Sequence, residues 1–285
     1  MLSAQPLVQR RDPGNTGTAE ATSTKGKVLV KVLWVFAHPD SRSLSGSLFA
    51  DGLRTLDSLG HSYQVSDLYA MKWKAVVDGD DYEPDSDARL IVSKSSEYAY
   101  RSGSLSPDVR AEQSKIMWAD TIIFQFPLWW YSVPAILKGW FDRVFVKGFA
   151  YGVRDPEHPE RTLRYGDGKL AGKRALTIVT SGSPKPALGP RGINGQLDEV
   201  LFPLLHGTFW YTGLAPLPPL GIYGADRVSD EQYLHDLRRL HRRLEELEST
   251  EPLAYRYQNR GDYDDDLVLR SEYAPGRSGL SVHYR

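Results

Sequence analysis

The chain has 285 residues, of which 41% are hydrophobic and 25% charged, and its formal net charge is −1. That length buries a full core, and a charge near zero gives no pull toward nucleic acid or an anionic membrane. With no cysteine, disulfides, thiolate nucleophiles and Cys-ligated metals are excluded.

No apolar run is long enough to span a bilayer, and the first residues lack the apolar core of a secretory signal, so a cytoplasmic location is the expectation. Residues 1–26, rich in Thr, Gly, Ala and Pro, read as a disordered tail. Residues 27–36 are nearly continuous in apolar side chains and predict a central strand. A helix is expected over 45–59, with Leu48, Phe49, Leu53 and Leu56 at helical spacing and Gly60 as its C-terminal cap. The turn between them holds His38, Ser43, Leu44 and Ser45. Free N–H groups at a helix start attract phosphate, and the His and Ser side chains add donors. Capping by Ser43 or Ser45 explains one serine but not His38. Ala37-His38-Pro39-Asp40 resembles the start of a zinc-dependent deacetylase motif, but Ser41 and Arg42 stand where that motif has acids, and no His-x-x-His follows.

A second strand is expected over 61–68, nearer an edge, followed by a long loop over 74–104 with room for a short helix. Ser106 and Pro107 begin the next helix. Ile122, Ile123, Phe124 and Phe126 form a buried strand that Pro127 is expected to stop. Leu128, Trp129, Trp130 and Tyr131 then lie in a loop at a strand's carboxyl end, before a helix begun by Pro134. In an open α/β sheet that is where ligands bind, and a wall of rings there suits a flat conjugated ligand; the alternative is that the rings pack under the loop. Residues 153–171 read as a loop and 174–180 as a fourth strand, ending in the hydroxyl-rich turn Ser181-Gly182-Ser183-Pro184-Lys185-Pro186. Residues 201–212 read as a helix leading to a fifth strand at 220–223. Leu234, Leu237, Leu240, Leu244 and Leu247 stripe a closing helix whose basic run is a solvated face. The alternation predicts one α/β domain over 27–250, a five-stranded parallel sheet with helices on both faces, and an extension over 251–285.

The run from Phe126 to Val144, Phe-Pro-Leu-Trp-Trp-Tyr-Ser-Val-Pro-Ala-Ile-Leu-Lys-Gly-Trp-Phe-Asp-Arg-Val, resembles the signature of the NAD(P)H:quinone oxidoreductase (DT-diaphorase) family, flavodoxin-like flavin enzymes. The resemblance extends over roughly residues 27–250. It implies FAD (FMN possible), NAD(P)H as co-substrate, and a ping-pong transfer of two electrons to a quinone-like acceptor. It also implies a homodimer, with the extension packing on a partner subunit. By position, His38, Ser43, Leu44 and Ser45 hold the phosphates. Pro127, Leu128, Trp129, Trp130 and Tyr131 flank the flavin ring, and Thr180, Ser181 and Gly182 meet its polar edge. Tyr151 lies over the acceptor. Gly-Ile-Asn-Gly places Asn194 where the family usually has a histidine. Asn donates a hydrogen bond but takes up no proton, so the family's proton-handling pair is missing. Tyr233 stands where an Arg meets the adenine of FAD. Two other roles fit such a chain: a non-catalytic flavoprotein subunit of an ion-transport system, and a one-electron shuttle. Turnover with menadione separates the first from an enzyme, and stepwise reduction separates the second.

Overall fold

The computed structural model describes residues 28–82 and 89–285. The expected tail over 1–26 lies outside these residues, as does part of the acidic loop, 83–88. Among the described residues six strands pair in parallel: β1 Lys31–Phe36, β2 Ser62–Asp67, β3 Thr121–Pro127, β4 Arg174–Ser181, β5 Ala215–Pro216 and β6 Leu220–Tyr223. Their order is β2-β1-β3-β4-β5, with β6 also beside β4, which is the flavodoxin arrangement. Five strands were expected; the short β5 is the addition. Pro216, Pro218 and Pro219 have no N–H to donate, so β5 and β6 do not join, and β4 pairs first with Ala215–Pro216 and again from Leu220.

The helices are α1 Leu44–Leu59, α2 Val92–Ser102, α3 Pro107–Trp118, α4 Ala135–Val144, α5 Leu197–Val200, α6 Phe202–Leu204 and α7 Asp230–Glu245. Within the segment expected as a long loop with room for a short helix, α2 runs for 11 residues. It buries Ser96 and Ala99, small side chains that leave no apolar period to read. The helix expected over 201–212 is instead α6 followed by a π-helical run, Leu205–Trp210.

Side chains alternate along β1. Val32, Trp34 and Phe36 pack with Leu48 and Leu56 of α1 and Leu240 and Leu244 of α7. Leu33 and Val35 face the opposite layer, where Val109, Ile116, Leu137, Trp140 and Phe209 lie. Some polar groups buried between these layers are paired, while the Thr121 and Thr177 hydroxyls, buried on the sheet, have no partner among the described residues. Trp34 Nε1 donates to Gln125 Oε1 at 3.0 Å, and Gln125 Nε2 donates to Ser45 O at 2.8 Å. Arg143, buried, donates to Asp81 and Asp108, each at 2.7 Å.

The extension folds back on its own chain. Leu253 N–H donates to Pro216 O at 2.8 Å and Trp210 Nε1 to Arg256 O at 2.9 Å. Tyr255 is buried, its hydroxyl 3.0 Å from that of Tyr284. Among the described residues, no helix is long and apolar enough to cross a membrane.

Candidate functional site

Register brings three strand ends to one edge of the sheet. Phe36 pairs with Gln125, and Pro127 with Thr180, so the segments after β1, β3 and β4 leave the sheet side by side.

The first segment is the β1–α1 turn. His38 Nδ1 lies 3.1 Å from the Asp40 backbone nitrogen and 2.9 Å from Ser43 Oγ. Nδ1 also lies 3.0 Å from Asp40 O, so whether it donates or accepts follows the tautomer, and Nε2 has no partner among the described residues. Ser43 is the N-cap of α1, its Oγ accepting from Gly46 N–H at 3.1 Å. The N–H groups of Leu44 and Ser45 keep no backbone partner. The turn crosses so close to the helix that a Cβ on Gly46 would stand 2.1 Å from Ser41 O. Asp40 is gripped by Arg42 through two bonds, of 3.0 and 2.9 Å, which hold its carboxyl down at about 2. Ser45 offers only its N–H, because its buried hydroxyl is 2.8 Å from Thr180 Oγ1 and ties α1 to β4.

The second segment carries the aromatic run. The ladder stops at Pro127, as expected: it is the last paired residue of β3, and the Leu128 N–H that closes its pair with Thr180 donates to Thr180 O at 2.8 Å. Reciprocal backbone bonds of 3.2 and 3.0 Å close a tight turn from Trp129 to Ser132. Its central residues, Trp130 and Tyr131, have φ of 50° and 57°. Such turns ordinarily take Asn-Gly, and each non-glycine residue there costs roughly 1 kcal/mol. The result is an indole held in the open: Trp130 is 96% exposed. The Trp130 ring therefore stands in solvent and does not pack under the loop.

The third segment follows β4. Thr180 and Ser181 are buried, and Ser181 Oγ accepts from Ser183 N–H at 3.2 Å. A Cβ on Gly182 would fall 2.6 Å from an Asp226 oxygen. Asn194 bridges the second and third segments: Tyr131 donates to its Oδ1 at 2.9 Å, and its Nδ2 donates to Ser183 Oγ at 3.1 Å.

Two expected residues are not brought to this cluster. Tyr151 lies beyond α4, a helix of 10 residues and therefore about 15 Å long, on a turn whose Gly148 O accepts from Lys169 near the start of β4. Tyr233 lies between α7 and α1, its hydroxyl donating to Asp51. Burial, and then that carboxylate, push the Tyr233 phenol up to about 12. Two residues beside these segments are absent from the sequence reading as site residues: Gln125 had a signal, a polar side chain within an apolar strand, and Asp226 had none. Ser183 falls in the hydroxyl-rich turn read after the fourth strand.

A family profile described as a flavodoxin-like fold matches residues 30–244. A ribosyldihydronicotinamide dehydrogenase-like protein of Penicillium crustosum is 43% identical over 259 residues, 90% of this chain and 96% of that protein. The ribosyldihydronicotinamide dehydrogenase (quinone) of Mus musculus is 36% identical over 225 residues, 78% of this chain and 94% of its own. A crystal structure from Klebsiella pneumoniae, described as a quinone reductase, is 48% identical with a TM-score of 0.86, over 90% of this chain and 100% of that one. The chain therefore belongs to the flavodoxin-like family of the NAD(P)H:quinone oxidoreductases, and it is an oxidoreductase.

Proposed function

We propose that the cleft holds FAD and that the protein passes two electrons from NAD(P)H to a quinone-like acceptor in a ping-pong cycle. A bound flavin supplies the hydride chemistry, accepting from the nicotinamide and giving to the acceptor. The chain's own residues bind and orient. Leu44 and Ser45 N–H groups, at the positive end of α1, and His38 Nε2 are donors matched to phosphate oxygens. Trp130 offers an exposed ring face on which a conjugated ring stacks. The chain Tyr131–Asn194–Ser183 fixes the Trp130 turn relative to the end of β4. Asn194 holds hydrogen bonds without exchanging a proton, so protons come from solvent or acceptor.

FAD rather than FMN is our reading, with Tyr233 assigned to the adenine end. Tyr151, remote from its own cleft, is assigned to the acceptor side of a second copy's flavin, which makes the working unit a homodimer. The observation that carries the proposal is the convergence of unpaired phosphate donors and a solvent-held indole on one sheet edge. The test is steady-state oxidation of NADH and NADPH with menadione by flavin-loaded protein. Parallel double-reciprocal lines are expected, and absence of turnover by a fully loaded preparation contradicts the proposal.

A further inference from the structure

A second cavity, of about 320 Å³, lies where the C-terminal extension meets the segment 202–206 and residues 164–165. None of its lining residues belongs to the cleft at the strand ends. Its volume sits within the range of small-molecule pockets. Phe202 stacks on His206 at 4.6 Å between ring centroids, His283 stacks on the same imidazole at 5.5 Å, and Phe202 and His283 are 6.3 Å apart, so the three rings form a cluster. Tyr165 lies 4.9 Å from the same imidazole. These rings offer flat apolar faces.

Two polar groups among them are unspent. His206 is nine-tenths buried, and its Nε2 has no hydrogen-bond partner among the described residues. A buried polar atom left in that state costs about 1–3 kcal/mol, which a ligand hydroxyl or N–H recovers. Arg164 is fixed through Nε, which donates to Gln258 Oε1 at 2.6 Å. Its guanidinium carbon lies 6.0 Å from the Tyr211 ring centroid, and its terminal nitrogens have no carboxylate partner among the described residues. A guanidinium fork of that kind is shaped for a carboxylate. Tyr263 and His283 are already committed to each other, at 2.9 Å, and shape the wall.

We propose that this cavity is a ligand site for a small planar aromatic acid that also carries a hydroxyl. The ring lies among Tyr165, Phe202 and His283, the carboxylate meets Arg164, and the hydroxyl meets His206. The proposal is independent of the flavin reading, since it concerns a different wall of the molecule.

The test is calorimetric titration of the full-length, flavin-loaded protein with hydroxynaphthoate, and with naphthoate and naphthol as analogues lacking one group each. One site per chain is expected, with hydroxynaphthoate about tenfold tighter than either analogue. Arg164→Met and His206→Phe each weaken it about tenfold or more, while Trp130→Ala leaves it unchanged. No binding, equal binding by both cavity variants, or loss confined to Trp130→Ala overturns the proposal. Should a variant not fold, the imidazole resonances of His206 and His283 in the unaltered protein decide: they move on titration, or the proposal is wrong.

Discussion

The Tyr131 hydroxyl donates to Asn194 Oδ1 at 2.9 Å, joining two loops 63 residues apart in sequence. The bond holds a turn whose Trp130 and Tyr131 both sit in the left-handed region. Without it the turn has one restraint fewer against relaxing. Tyr131→Phe removes about 1 kcal/mol, so kcat/KM with menadione falls roughly fivefold. Asn194→Ala also frees Ser183 and costs more than Tyr131→Phe. Identical kinetics for Tyr131→Phe and the unaltered protein would show that the bond orients nothing.

Gly46 lets the β1–α1 turn lie on the helix. A Cβ there stands 2.1 Å from backbone Ser41 O, whereas Gly103 has nothing within 4 Å. Gly46→Ala lowers stability by roughly 2 kcal/mol and weakens flavin binding, because the turn must move. Gly103→Ala, at φ of 77°, pays only for its backbone conformation, about 1 kcal/mol, and leaves flavin affinity intact. Urea midpoints and flavin titrations compare the two.

Arg143 and Asp81 are both buried, 2.7 Å apart. They tie α4 to the loop after β2, with the guanidinium over the Trp73 ring at 4.6 Å. Arg143→Met leaves Asp81 with Lys74 as its remaining cation, at 3.4 Å. A loss of about 3–5 kcal/mol in urea unfolding is expected. A loss below about 1 kcal/mol contradicts this role for the pair.

Burial, and then the neighbouring His283, lower His206 from 6.5 to about 4. The folded chain therefore binds that proton more weakly than the unfolded chain. As pH falls from about 6.5 toward about 4, the unfolded state takes up a proton that the native state refuses. Stability drops over that window by up to about 3 kcal/mol, and the drop levels off below it. His206→Phe flattens this part of the stability profile. An unchanged slope in the variant excludes His206 as its source.

Much of this architecture was legible from the sequence. The continuous apolar runs of β1 and β3 gave parallel strands, and the hydroxyl-rich turns marked their carboxyl ends. What the chain order could not show depends on distant partners. Ser45 looked like a phosphate donor until its hydroxyl was found against Thr180, 135 residues away. Nothing in the order of residues announces that the Tyr233 hydroxyl bonds Asp51 of α1, 182 residues away. Trp130 and Tyr131 read as loop residues, and nothing in their identity announces a left-handed turn, because aromatic side chains disfavour it. The short helix α2 left no periodic trace, since its buried positions are Ser96 and Ala99.

The most direct test of the central claim is the stoichiometry of flavin in the purified protein, measured by releasing and weighing the bound chromophore and by titrating apoprotein with FAD and FMN. One FAD per chain, with FAD held more tightly than FMN and binding weakened in Trp130→Ala, is the predicted result. A colourless protein that takes up neither flavin contradicts the account.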